Sequence, residues 1–230
     1  MVPLLLTNVL GIPLSTSEVT VGALVGVGLA VGGLQADTVG LIVLSWMLLP
    51  IMAFILVGAL IKVFGLAFNG VRNGARQKPR GRAAGRALAL LLIGGGCFTA
   101  FAAGANNTAN SVGLLVRVGV LSSTMGLALG GILPGVGAIT LGGRVLETNG
   151  RKITRLSKAT GITVNLTSAS LVLGMSQIGI PVPLTQATTG AIAGVDFTRF
   201  GWRGIDLSII KRIVGMWVLS PAISLMLSFL

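Results

Sequence analysis

Over its 230 residues the chain is 53% hydrophobic and 10% charged, with a mean hydropathy of +0.95. A soluble domain carries about 25% charged residues, so this composition excludes an ordinary soluble globular domain and leaves most of the surface to lipid. The net charge of +12 would point a soluble protein toward nucleic acid; here the positives gather between apolar runs, which reads as the positive-inside signature of a membrane protein with no nucleic-acid partner. Anionic lipid headgroups are an additional partner for such basic loops. There is no histidine, which removes the usual metal ligand and the usual neutral-pH proton carrier. The single Cys97 rules out a disulfide framework within the chain.

In chain order, residues 1–10 form a short apolar run. It lacks the basic start and small-residue cleavage site of a signal peptide, and it is shorter than the roughly 20 residues a span requires. Apolar segments follow at 14–33, 39–61, 87–103, 111–142, 160–178, 180–195 and 213–230. The runs are continuous, not alternating, and an open strand in lipid would leave backbone groups unpaired, so helices are expected throughout. The 35 glycines suit close helix contact and helix breaks in a membrane. Between the runs lies a basic, Gly-rich stretch at 69–85. Lys62, Arg72, Arg76, Lys78, Arg80, Arg82 and Arg86 fall in or beside it with no acid among them. A second basic loop is expected at 144–158, where Glu147 would pair with Arg144, Arg151 or Lys152 at the surface with little energetic effect.

The chain repeats itself. Gly11-Ile12-Pro13-Leu14-Ser15-Thr16-Ser17-Glu18 and the residues after it reappear from Gly179-Ile180-Pro181-Val182-Pro183-Leu184-Thr185-Gln186 onward, 168 positions later. Trp46-Met47-Leu48-Leu49-Pro50 returns as Trp217-Val218-Leu219-Ser220-Pro221, 171 positions later. An apolar chain built from two copies of one unit is the pattern of a secondary transporter. With the 62–86 loop inside, two crossings return the chain inside at the basic 143–158 loop. Two more return it at 196–212, which carries Arg199, Arg203, Lys211 and Arg212. The stretch 32–38, without Lys or Arg, then lies outside. The helix at 39–61 runs inward and its counterpart at 213–230 runs outward, which makes the repeats inverted. This assumes a full crossing at 180–195, short at 16 residues. The expected division is 1–68, the second half of a first repeat; 69–86, a basic cytoplasmic loop; and 87–230, a complete second repeat. Met1 aligns with Ala169, so the chain reads as one and a half repeats, consistent with a wrong start codon, a split gene or a truncated paralogue.

Gly104-Ala105-Asn106-Asn107-Thr108-Ala109-Asn110-Ser111 interrupts an apolar stretch. Polar side chains at membrane depth must pair or line a cavity. The small residues here suggest a helix break, whose exposed N–H groups would suit an anion and whose carbonyls would suit Na⁺. The bland alternative is a polar patch between helices worth about 0.6 kcal/mol per contact. A carboxylate at membrane depth costs about 2.5–3.5 kcal/mol, so Glu18 is expected to be paired, protonated or functional, unless it sits at the interface near a helix end. Arg117 would either snorkel to the interface or pair with Glu18 or with an anion.

The polar stretch resembles the Gly-Ala-Asn-Asp-x-Ala-Asn signature of the inorganic phosphate transporter (PiT) family. The segment from Gly143-Arg144-Val145-Leu146-Glu147-Thr148-Asn149-Gly150 to Ile153 is similar to the loop that follows in that family. Gly11 to Ser17 is similar to its Gly-x-Pro-Val-Ser-Thr-Thr-His element. The resemblance implies an all-α integral membrane protein, an inverted-repeat bundle with broken or re-entrant helices, here N-terminally truncated. It implies no enzyme but a Na⁺- or H⁺-coupled symporter of inorganic phosphate working by alternating access, in the cell membrane of a prokaryote. Asn106, Asn107, Thr108, Asn110, Ser111, Ser15, Thr16, Ser17, Glu18 and Thr185 would line the substrate and ion sites, with Na⁺ at Asn106, Asn107 and Asn110. Several positions depart from the pattern. The signature aspartate is Asn107, hydroxyl positions are Leu114 and Leu115, and the motif histidine is Glu18 in one copy and Gln186 in the other. The alternatives are a carrier of another oxyanion such as sulfate, and a non-transporting remnant or assembly subunit. Partners would be phosphate, lipid, and either a second copy of the chain or an upstream half-repeat.

Overall fold

The computed structural model describes residues 15–64, 82–152, 157–205 and 207–230; for residues 64, 141–152, 209 and 212 it describes the backbone alone. Every regular element among them is helical. The order is α1 (Thr16–Ala30), α2 (Ala36–Phe64), α3 (Arg82–Arg117), α4 (Ser123–Lys152), α5 (Lys158–Gln177), α6 (Leu184–Phe200), a 3₁₀ turn (Gly201–Gly204) and α7 (Leu207–Phe229). Within α2, α3 and α4, the stretches Ala36–Val63, Arg82–Arg117 and Ser123–Thr140 are each long and apolar enough to cross a membrane. The run 1–10, the motif residues Gly11 to Leu14 and most of the 69–86 loop lie outside the described residues.

Two expectations are corrected. The polar stretch does not break a helix: α3 runs through it to Arg117 without interruption. The chain turns instead at 118–122, so residues 111–117 belong to the first crossing of the second repeat. Gly119 sits there at φ +76°, where a Cβ would be strained. Val120 N–H reaches back to the Leu115 carbonyl at 2.9 Å, in the manner of a glycine-terminated helix. The Ser122 hydroxyl then accepts the Met125 N–H at 3.2 Å and opens α4. The second basic loop is also shorter than expected, because α4 continues through Lys152. The side chains of Arg144, Glu147, Arg151 and Lys152 lie outside the described set.

The internal repeat is visible in the packing. A Cβ on Gly22 of α1 would lie 2.5 Å from the Pro221 carbonyl oxygen of α7, and its repeat counterpart Gly190 of α6 meets Pro50 of α2 in the same way. Four residues on, Gly26 rests on Leu225 and Ser228, and Gly194 rests on Phe54 and Val57. Each pair is the image of the other under the 168 and 171 offsets. So α1 lies parallel to α7, and α6 lies parallel to α2. Since α2 starts where α1 ends, and α7 starts just after α6, the two pairs point in opposite directions. The glycines permit backbone-to-backbone approach, as small residues do between membrane helices.

The second half of the bundle shows how α6 is seated. Along α3 and α5, Leu92 meets Gly161 and Gly95 meets Asn165; further along, Ser176 meets Asn106. These two helices are therefore parallel. The turn between α5 and α6 is pinned by Trp46, whose indole N–H donates to the Pro181 carbonyl at 2.8 Å. Trp46 lies ten residues into α2 and Asn106 lies eleven residues before the end of α3. At 1.5 Å per residue both are about 15 Å from their helix ends, near mid-membrane. The α5–α6 pair is thus a hairpin that enters from one side and turns back near the middle. A re-entrant hairpin and two full crossings both return the chain to the side it left, so the charge-parity argument does not require 180–195 to be a full crossing. Val21, Leu49, Ala102, Ala169, Val172, Val182 and Ala187 form the central core around the turn.

Candidate functional site

The site begins with two short helices. α1 has 15 residues and α6 has 17, both below the roughly 20 needed to span. Both start near mid-membrane beside α3 and run in opposite directions. Neither N-cap residue, Ser15 or Pro183, caps its helix with a side-chain hydrogen bond. First-turn N–H groups have no partner inside a helix, and they carry the positive end of the helix dipole. Two such ends therefore converge from opposite sides on one face of α3.

That face is set by helical spacing. Ala102, Asn106 and Asn110 recur every four residues and so share one side of α3, where Ala102 and Asn106 are buried. The Asn106 amide joins the parts. Its Nδ2 donates to Ser17 Oγ and to the Val182 carbonyl, both at 3.0 Å. Its Oδ1 accepts the Val182 N–H and the Ser176 hydroxyl, both at 3.3 Å. Asn110 Nδ2 donates to Ser17 Oγ at 2.9 Å, and Ser17 Oγ donates to the Val182 carbonyl at 3.2 Å. Thr16 Oγ1 donates to Asn107 Oδ1 at 2.7 Å. Among the described residues, then, Ser15, Thr16, Ser17, Asn106, Asn107 and Asn110 come together at the start of α1. Thr185 lies in the first turn of α6 with its hydroxyl buried and without a hydrogen-bond partner.

Three expected residues fall elsewhere. Thr108 turns to α4 and donates to the Gly130 carbonyl at 2.8 Å; it packs two helices together. Ser111 is on the exposed side of α3. Glu18 is buried at 0% exposure, yet it faces away from the asparagines. Gln186 Nε2 donates to its Oε1 at 2.8 Å and Ser220 Oγ donates to its Oε2 at 2.7 Å. It is not at the interface, and its partner is not Arg117, which is exposed at the end of α3. Of the three asparagines expected to hold Na⁺, Asn106 has both oxygen lone pairs taken by Val182 and Ser176. The amide oxygens of Asn106 and Asn107 already accept protein hydrogen bonds. Sequence reasoning missed Ser176, which nothing in the pattern marked, and Ser220, which was in view within the second Trp…Pro echo. It also missed the Val182 backbone, whose two polar groups are both bound by Asn106.

Uncapped helix starts, a polar face at mid-membrane and inverted repeats define an integral membrane transport protein. Comparison with known proteins agrees. A family profile described as "Phosphate transporter family" matches residues 1–228, and the chain belongs to that family. It is 43% identical over 223 residues, 97% of its length, to the sulfate permease CysP of Bacillus subtilis, of which the match covers 61%. It is 35% identical over 139 residues, 55% of its length and 34% of the other chain, to a Pyrococcus horikoshii protein provisionally named a phosphate permease. It thus spans about three fifths or less of these relatives. A solved structure described as the sodium-dependent phosphate transporter matches with a TM-score of 0.78 over 97% of this chain and 75% of that one, at 24% identity. At that identity the likeness is one of fold.

Proposed function

We propose that the chain moves a tetrahedral oxyanion across the membrane by alternating access, coupled to Na⁺ or H⁺, as part of a two-repeat carrier. The observation that carries this reading is the convergence of the α1 and α6 N-termini, from equivalent positions of the two repeats, on the Asn-bearing face of α3. Such ends bind anions through N–H groups and dipoles without needing a fixed cation. Ser15, Thr16, Asn107 and Thr185 sit at those ends and supply hydroxyl and amide donors. Asn106 and Asn110 hold the ends in place. Inorganic phosphate is the substrate that the family's description supports.

Sulfate is the second reading, and one feature of the site favours it. Phosphate keeps at least one hydroxyl at neutral pH, and that hydroxyl must donate to an acceptor; sulfate keeps none. The family signature offers an aspartate at this point, but the chain has Asn107, whose neutral amide oxygen already accepts one hydrogen bond from Thr16 and is a weaker acceptor than a carboxylate. A site without a charged acceptor suits the fully deprotonated anion. The relative named a sulfate permease shares 43% identity over nearly the whole chain. The reading also requires a unit equivalent to α3–α5 for the first repeat. Val195 on α6 is fully buried, whereas its counterpart Val27 on α1 is 47% exposed, so among the described residues α1 lacks that cover. A further half-repeat, from the same polypeptide or from a second copy, would supply it. The experiment is uptake of radiolabelled phosphate and of radiolabelled sulfate into vesicles, each challenged with the other unlabelled. Saturable uptake of one, blocked selectively by its own kind, is expected, and Asn107→Asp should shift preference toward phosphate. No saturable uptake of either anion, with the complementary half-repeat supplied, would overturn the carrier reading and favour an assembly subunit.

A further inference from the structure

Glu18 and Gln186 occupy the same position of the two repeats, 168 residues apart, and they touch. The carboxyl of Glu18 is fully buried, accepting from Gln186 Nε2 and Ser220 Oγ. The other amide atom of Gln186, Oε1, is buried and has no hydrogen-bond partner. We propose that Glu18, Gln186 and Ser220 form a proton-binding site on the contact between the repeats, and that this site couples proton movement to the oxyanion cycle. The proposal rests on the carrier reading above.

The chemistry of the three side chains fits two protonation states. With Glu18 ionised, its two oxygens accept the Gln186 N–H and the Ser220 O–H, as observed. When the carboxylate takes a proton it becomes an O–H donor on one oxygen. A half-turn of the Gln186 amide then brings its unpartnered Oε1 to that donor, while Ser220 continues to donate to the other oxygen. No bond other than O–H forms, and the proton comes from water on one side and returns to water on the other. An amide is suited to this because it holds one donor end and one acceptor end in equivalent positions. Glutamine on both repeats would have no proton to carry, and glutamate on both would set two acids against each other.

Among the described residues no charged group is bonded to Glu18. On α1 it is the sole charged residue. The charged residues of the surrounding helices lie toward helix ends in the sequence: Asp196 and Arg199 on α6, Lys211 on α7, Asp37 and Lys62 on α2, and Arg82, Arg86 and Arg117 on α3. The residue before Glu18 is Ser17, which ties α1 to Asn106, Asn110 and Val182. A change in the α1–α6 contact is therefore transmitted within one residue to the start of α1, where the anion is proposed to bind. Alternating access moves one part of such a bundle against another, and Glu18–Gln186 is a direct bond between equivalent positions of the two repeats.

The test has two readouts. Infrared difference spectra of the purified protein in lipid vesicles, between alkaline and acid buffer, should show the carbonyl band of a protonated carboxylic acid. That band should be missing in Glu18→Gln and displaced in Gln186→Leu, which removes the amide acceptor. In vesicle uptake, an inward proton gradient should stimulate accumulation of the anion by the unaltered protein, and Glu18→Gln should lose that stimulation. Glutamine already occupies the equivalent place in the other repeat, so the substitution fits sterically. A carboxyl band unaffected by Glu18→Gln overturns the proton site. A Glu18-dependent band with gradient stimulation intact in Glu18→Gln overturns the coupling. If the unaltered protein takes up neither phosphate nor sulfate, the carrier reading fails, and the infrared result still decides separately whether Glu18 binds a proton.

Discussion

Asn106 shows how one amide can hold a site without being its ligand. Its two N–H bonds and both oxygen lone pairs are used, by Ser17, Val182 and Ser176, which exhausts what an asparagine side chain offers. Replacing it by aspartate keeps the shape and turns the donors into an acceptor. The Val182 carbonyl would then face a carboxylate oxygen with no proton between them. Leaving a buried group unsatisfied costs about 1–3 kcal/mol, so Asn106→Asp should lower the thermal midpoint of the purified protein clearly. The neighbouring Asn107→Asp should not, because the Thr16 hydroxyl can donate to a carboxylate as well as to an amide; a surface-like change of under about 0.5 kcal/mol is expected. Thermal denaturation of the two variants side by side checks this. Equal midpoints would remove Asn106 from its central place. The sequence made both asparagines look alike, as candidate ligands. Their difference lies in which face of α3 each occupies, and that becomes visible once Ala102, Asn106 and Asn110 are counted at a spacing of four.

At the level of elements, the expected break at Gly104 to Ser111 failed for a physical reason. Gly104 weakens a helix only modestly and the alanines around it favour one, and each inward amide found partners while α3 stayed helical. The broken geometry lies instead in the short α1 and α6. There each short helix starts directly after a residue with extended backbone angles, Ser15 before α1 and Pro183 before α6. The motif was legible as a repeat, but its role as a mid-membrane helix start needed the depth given by Trp46 and Asn106. The glycines after it were equally legible in number and not in purpose. Gly190→Val should force α6 away from the backbone of α2, because Pro50 backbone atoms stand where the side chain would go. Overpacking typically costs about 1–3 kcal/mol, and here neither neighbour is a flexible side chain. Gly131→Ala, on open space in α4, is the control. Size-exclusion profiles after heating should show loss of folded Gly190→Val at temperatures where Gly131→Ala is unchanged; equal survival would mean that the α2–α6 contact does not need its glycine.

For the whole molecule, the two repeats exchange helices. The short helix of each copy packs on the closing helix of the other, α1 on α7 and α6 on α2. The bundle cannot be divided into two independently packed halves, even though the sequence divides cleanly near residue 69. Loop charge predicts an orientation, because Lys and Arg near helix ends are held on the cytoplasmic side. It could not reveal the exchange, since charge counts sides and is blind to neighbours. Orientation is open to direct measurement. With Cys97 replaced by serine, single cysteines can be placed at the exposed positions Gln35, Ser122, Lys158 and Arg203 and treated with a membrane-impermeant thiol reagent. Gln35→Cys and Ser122→Cys should react from outside intact cells. Lys158→Cys and Arg203→Cys should react only after the membrane is opened, because α5 and α6 enter from and return to the inner side. Lys158 and Arg203 reacting from opposite sides would make α5–α6 a full crossing. Gln35 and Arg203 reacting from the same side would mean that α2 and α7 do not run in opposite directions, and the inverted arrangement, with the paired helix starts that depend on it, would have to be given up.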